Sequence, residues 1–383
     1  MAPPPTPASP AAQPAKTVAH YRDYYFGETT PDQPVGERTM MIRTAFHQVR
    51  KKQRWRYAAL AGGLVLMLLA AAAVAVYEHR QLAQQQAVAK DLFYSMKALD
   101  VDIAALENMI RDTRDPRVRE QVRKYETRRK DMQASYDQFL AALRVYNPKM
   151  TEEERLILRV SRIFGECELD MPQDFKVEIK KYIQKWQSSA RLAKAVALAK
   201  DRGYTVKIAD EFLAQDLPPQ FFYLALQESD FDPYISGPMT YKGIAKGMWQ
   251  FIPETAAKYN LKLGPLVDLR RPDPADERQH FDKATHAAAL YIKDLYSTDA
   301  QASGLLVIAS YNWGEDKVIR LIRSMPANPR DRNFWRLLSK YRDKIPQETY
   351  DYVFYIVSAA VIGENPRLFG FTFDNPLGHL EKR

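Results

Sequence analysis

From Tyr57 to Tyr77 the chain reads YAALAGGLVLMLLAAAAVAVY, 21 residues without a charge. A helix of that length rises about 30 Å, the thickness of a bilayer's hydrocarbon core. A buried core helix is the bland alternative, and the run's length, its lack of any charge and the basic cluster beside it argue against that. Arg50, Lys51, Lys52, Arg54 and Arg56 crowd the N-terminal side, whereas Glu78, His79 and Arg80 open the other. That bias places residues 1–56 in the cytoplasm and sends the rest across an inner membrane in a single pass. Trp55, Tyr57 and Tyr77 sit at the two edges, as interfacial anchors do. A signal peptide begun at Met40 or Met41 and cleaved near Ala73-Val74-Ala75 is the competing reading, but the apolar run is long for an h-region. Either way, the residues beyond it lie outside the cytoplasm, in the periplasm of a double-membraned cell.

The flanks divide by composition. Residues 1–16, MAPPPTPASPAAQPAK, are Pro- and Ala-rich, and the whole 1–56 segment is expected to be a disordered tail with a basic juxtamembrane end. An aromatic cluster at 20–28, HYRDYYFGE, offers a docking motif for a cytoplasmic protein or an incidental part of a spacer. Beyond the span, Leu92, Met96, Leu99, Ile103, Leu106 and Ile110 repeat at alternating steps of four and three. After Asp115-Pro116 a second series follows at Val118, Val122, Tyr125, Met132, Tyr136, Phe139 and Leu143, with Arg129 in one core slot. Two heptad seams around a helix-breaking turn predict a coiled-coil-like helical hairpin over 78–146. It would act as a spacer, or as a homo-oligomer contact through 81–146.

Thr151 followed by Glu154 forms the capping-box pattern, so a helix and a new domain, 147–383, are expected to begin there. Glycine is scarce, with 15 in 383 residues, and 46% of residues are apolar, recurring mostly at helical spacing. The fold class expected is mainly α: a transmembrane helix, a helical hairpin and a helical domain. The formal charge of +9 suits an anionic partner without naming one. The basic cluster is accounted for by membrane topology, so no nucleic acid is expected. The single cysteine, Cys167, excludes an intrachain disulfide and reads as a small buried residue. The six histidines are scattered, His280 and His286 among them, and no metal or cofactor motif is present.

The chemistry gathers near YLALQESDFDP, Tyr223–Pro233. Glu228 ends a helical run rich in Phe221, Phe222, Leu224 and Leu226, where partial desolvation raises a carboxyl pKa and makes a usable general acid. A lone glutamate near a helix end is usually a solvated surface residue, so company decides the matter. Glu228, Ser229, Phe231 and Pro233 are followed by GMWQFIPET from Gly247, by SYNWG from Ser310, and by Pro346, Glu348, Thr349, Tyr352 and Val353. These four stretches, in this order, resemble the lytic transglycosylases with an SLT (goose-lysozyme-like) domain, of the membrane-bound lytic transglycosylase D branch. The resemblance places an SLT core at about 215–360 within a lysozyme-like fold.

The resemblance implies an enzyme that cuts peptidoglycan glycan strands between N-acetylmuramic acid and N-acetylglucosamine without water. Glu228 would protonate the departing oxygen and then serve as base on the muramyl C6 hydroxyl, giving a 1,6-anhydro end. Ser236, Gln250, Tyr311, Asn312 and Tyr352 would orient the acid or hold sugar, and Trp249 would either stack on a sugar or belong to the core. Asp230 and Asp232 read as capping or loop residues. Lys242, Lys246 and Arg270 would attract acidic peptide stems. The chain departs from the family at 237–246, where GPMTYKGIAK replaces a shorter linker and leaves exo- or endo-cleavage open. It also ends without the wall-binding LysM modules frequent in that branch, so the membrane helix is expected to localise it. A hydrolytic muramidase and a glycan-holding scaffold of an envelope or division machine are the alternatives.

Overall fold

The computed structural model describes residues 37–113, 116–146 and 149–380. The aromatic cluster at 20–28, most of the expected tail, and Asp115 of the hairpin turn lie outside those residues. Described residues up to Gln81 form one unit and those from Leu82 onward another.

Helix α1, Glu37–Thr113, contains the apolar run. It begins earlier than expected: residues 37–56, read as part of the tail, are helical, because no Pro or Gly interrupts them. Leu60, Leu64, Leu66 and Leu68 are exposed, and this helix is long and apolar enough to cross a membrane. Helix α2, Pro116–Ala142, starts with proline in its first turn, where the missing N–H costs nothing. Leu99 and Ile103 pack against Val122, with Leu106, Ile110 and Tyr125 alongside; further along, Phe93 and Met96 pack against Tyr136 and Leu140. Rising numbers on α1 thus meet falling numbers on α2, an antiparallel hairpin, and the seam side chains are used within the chain. Arg129, in the polar slot, pairs with Asp100 across the two helices.

This hairpin packs onto the helices that follow it. Tyr94 donates to Asp170 at 2.8 Å, Tyr136 to Glu168 at 2.7 Å, and Arg162 pairs with Asp137. Cys167 is buried in the same cluster.

The remaining helices are α3 Glu152–Ile163, α4 Gln173–Gln187, α5 Arg191–Asp201, α6 Tyr204–Ala214 and α7 Phe222–Ser229. A two-stranded hairpin follows, β1 Ser236–Thr240 and β2 Gly243–Lys246. Then come α8 Pro253–Lys258, α9 Phe281–Tyr296, α10 Gly304–Trp313, α11 Glu315–Arg323, α12 Phe334–Tyr341 and α13 Gln347–Glu364. Thr151 and Glu154 make both bonds of the expected capping box at the start of α3. Helix α13 is buried along most of its length, from Thr349 to Gly363, and packs against α3, α4, α7 and α10. Its sequence, TYDYVFYIVSAAVIG, is apolar over most of its circumference because neighbours cover it there; Tyr350, Asp351 and Tyr355 are half-buried along one edge.

The 237–246 departure is the β1–β2 hairpin, and its base is latched from behind. Arg278 is wholly buried, donates twice to Asp276 at 2.9 and 2.6 Å, and donates to the carbonyls of Ile244 and Phe251 at 2.8 and 3.1 Å. The charge is neutralised and its donors are used, the condition for burying a guanidinium at tolerable cost. Gly247 sits where only glycine fits: φ is +85° and a Cβ would lie 1.7 Å from the Arg278 carbonyl oxygen. Gly247→Ala is therefore expected to destabilise the domain by more than about 3 kcal/mol, read as a fall in Tm of the purified chain.

Candidate active site

Glu228 is the penultimate residue of α7. The helix stops because Asp230 takes a left-handed conformation, φ 53°, ψ 32°, and Asn or Asp tolerate that region better than most residues. Asp230 is then held by Arg191, whose Nε donates to it at 2.7 Å, and Asp232 accepts from the Tyr234 amide at 2.8 Å. Both aspartates are thus loop-forming, as expected. Phe231 turns inward and stacks on Phe222, with centroids 4.5 Å apart. Ser229 ties this turn to the next motif: its Oγ lies 2.8 Å from the Met248 carbonyl oxygen.

Tyr352, on buried α13, donates to Glu228 Oε1 at 2.5 Å. Burial pushes the Glu228 carboxyl up to about 7; the Tyr352 hydrogen bond opposes that rise and the charge of Glu348 adds to it. Glu348 is exposed in the first turn of α13, one turn before Tyr352. The hydroxyls of Tyr352 and Tyr311 are both raised, first by burial and then by the Glu228 charge. Both tyrosines remain neutral donors at any physiological pH.

Tyr311 donates to the Trp249 carbonyl at 2.7 Å, and its ring lies in a row of tilted aromatics. Tyr291 of α9 lies 5.1 Å from Tyr311 and 5.3 Å from Tyr259, centroid to centroid. Asn312 accepts from Thr349 at 2.8 Å, leaving its amide nitrogen as the free donor. Gln250 is reversed: its amide nitrogen donates to the Gly247 carbonyl at 2.7 Å, leaving its oxygen as the free acceptor. Ser236 Oγ is buried and has no partner, an orphaned polar atom at the foot of β1.

The structure therefore brings Glu228, Tyr352 and Tyr311 into one cluster, joins Asn312 to it through Thr349, and sets Ser236 and Gln250 at the hairpin base. Of the two readings of Trp249 the structure takes the core one, and the expectation for Lys246 fails. Trp249 is wholly buried, packs edge-on to Phe212 and donates to Thr285 at 3.1 Å, so its indole is core and cannot stack on a sugar. Only its carbonyl serves the site, by holding Tyr311. Lys246 is likewise buried, donating to the Leu266 carbonyl at 2.6 Å beside Asp276, and cannot attract a stem peptide. Lys242 and Arg270 are exposed as expected. Sequence reasoning missed Tyr291, whose stretch AAALYIKDLY carries only a helical pattern. His280 and His286 lie elsewhere: His286 meets Glu211 and His280 the Pro274 carbonyl.

Because folding raises the Glu228 pKa, the folded state holds its proton longer than the unfolded chain does. Stability contributed there falls as pH rises from the ordinary 4.5 through about 7. Glu228→Gln removes the titration and keeps the shape. The Tm values of the two chains are expected to differ least below about pH 4.5, with the variant gaining on the native chain as pH approaches about 7.

Residues 211–334 match the Transglycosylase SLT domain family. Two curated relatives, each a membrane-bound lytic murein transglycosylase D, come from Escherichia coli K12 and O6:H1. Each is 27% identical over 208 residues, which is 54% of this chain and 41% of the relative. The chain thus spans about two fifths of the length of these relatives. No solved structure gives a match. The ordered motifs and the family match agree: residues 211–334 of this chain match a transglycosylase SLT domain, and the wider stretch is similar to membrane-bound lytic murein transglycosylase D.

Proposed function

We propose that the chain is a peptidoglycan lytic transglycosylase anchored in the inner membrane, with residues 1–56 cytoplasmic and the SLT domain in the periplasm. The observation that carries the reading is a single carboxyl, Glu228, poised near pKa 7 under a tyrosine donor. A glycosidase of the usual kind pairs two carboxyls across the bond it cuts. Here Asp230 and Asp232 are turned into the loop, and Glu348 acts on Glu228 only through its charge.

Glu228, protonated, gives its proton to the glycosidic oxygen as the bond to the muramyl C1 breaks. The carboxylate left behind takes the proton of the C6 hydroxyl as that oxygen closes on C1. One proton leaves and one returns, so Glu228 is ready for the next cut and no water is consumed. A pKa near the working pH suits a group that must both donate and accept. Tyr352 steadies the carboxylate between the two steps. Asn312 as donor, and Gln250 and Ser236 at the hairpin base, are the groups available for the N-acetyl and hydroxyl edges of the sugars.

Mass spectrometry of fragments released from purified peptidoglycan by the full chain tests this. Products with 1,6-anhydro ends are expected, and Glu228→Gln should lower their formation roughly 10²- to 10⁴-fold. Reducing ends in their place would mean a hydrolase. The rate should fall as pH rises through about 7, because the first step needs the protonated acid. In Tyr352→Phe, that fall should move to higher pH, since the lost hydrogen bond had held the pKa down.

A further inference from the structure

The turn of the β1–β2 hairpin is built rigidly around an exposed aromatic ring. Thr240 Oγ1 accepts from the Lys242 amide at 3.2 Å and donates to the Gly243 carbonyl at 2.8 Å. Gly243, at φ +88°, seats the turn so closely on Pro253 that a Cβ would come within 3.0 Å of the proline ring. With the base latched by Arg278, the strands have little freedom. Tyr241, at the tip, is nonetheless 91% exposed. An apolar ring held out on a rigid turn loses little entropy when something covers it.

Tyr241 borders a cavity of about 430 Å³ whose other walls include Ile252, Tyr291 and Trp313. Tyr291 is the link to the site, since its ring lies 5.1 Å from Tyr311 beside Glu228. The rim carries both signs of charge, Lys242 and Lys317 with Glu315 and Asp316. Aromatic side chains beside charges of both signs fit a saccharide ring, which offers C–H bonds on its faces and hydroxyls at its edges. They also fit the ionised peptide that such a ring bears.

We propose that this groove is a further glycan-holding site, in which Tyr241 covers a sugar of the strand beyond the bond being cut. The site rests on the reading of peptidoglycan as substrate. It makes the enzyme prefer long strands and cut within them, because a strand reaching the hairpin is held at two places.

The test is calorimetric titration of full-length Glu228→Gln, which binds without turnover, with peptidoglycan glycan oligomers of increasing length. Affinity should rise once the oligomer is long enough to reach the hairpin. Tyr241→Ala in that background should remove the rise, roughly a tenfold loss, and leave short oligomers unaffected, while Tyr241→Trp restores it. Affinity independent of length, or a length effect that survives Tyr241→Ala, overturns the proposal, as does failure of every oligomer to bind. The ends produced by the native chain judge the reaction separately. A chain that makes 1,6-anhydro products yet shows no length effect keeps its function and loses this site. Tyr241 is exposed, so its replacement leaves the fold intact.

Discussion

Everything at the site depends on one helix passing through the middle of the domain. Helix α13 is buried from Thr349 to Gly363 and touches α3, α4, α7 and α10. Because four neighbouring helices fix it, Tyr352 is held in place, and the end of α7 that carries Glu228 meets a donor at a set position. The same helix presents Thr349 to Asn312 one turn earlier. Two site residues from two other helices are thus aligned by side chains three apart on a single rod. Burial supplies the chemistry as well as the geometry, since removing water from Glu228 is the largest cause of its raised pKa.

A second constraint serves the opposite wall. The Arg278–Asp276 pair is buried, and a buried ion pair is weak evidence for stability by itself. Its value here is positional. The guanidinium bonds the carbonyls of Ile244 and Phe251, and the carbonyl of Arg278 fills the space a side chain at residue 247 would need. Gln279 reaches Tyr234 across the same loop at 3.2 Å. Hairpin, Gly247 turn and the orphaned Ser236 hydroxyl are therefore placed by one loop behind them.

Much of this was legible in the sequence because it depends on local pattern. The uncharged run Tyr57–Tyr77, the two heptad seams and the Thr151–Glu154 box each follow from spacing along one helix. The desolvated setting of Glu228 was legible from the apolar run that it ends. Trp249 was left open and Lys246 misjudged for a shared reason. Both stand in a stretch with no helical or strand period to say which side faces solvent, and both are drawn inward by partners distant in sequence, Thr285 and the Leu266 carbonyl. The hairpin was seen as an insertion but not as strands, since Gly237, Pro238 and Gly243 weaken any alternating pattern.

Glu166 shows why burial alone does not mark a catalytic acid. Burial pushes its carboxyl up to about 7, as it does Glu228. Yet Glu166 accepts from Ser303, which caps α10, and from the Phe334 amide that opens α12, at 3.2 Å. It is 1% exposed, and its work is to join two helix starts. Glu228 differs in being only half-buried and in bonding a single side chain, Tyr352. The same desolvation raises both carboxyls, but Glu166 is closed off and tied to two helix starts, whereas the fold leaves a side of Glu228 open.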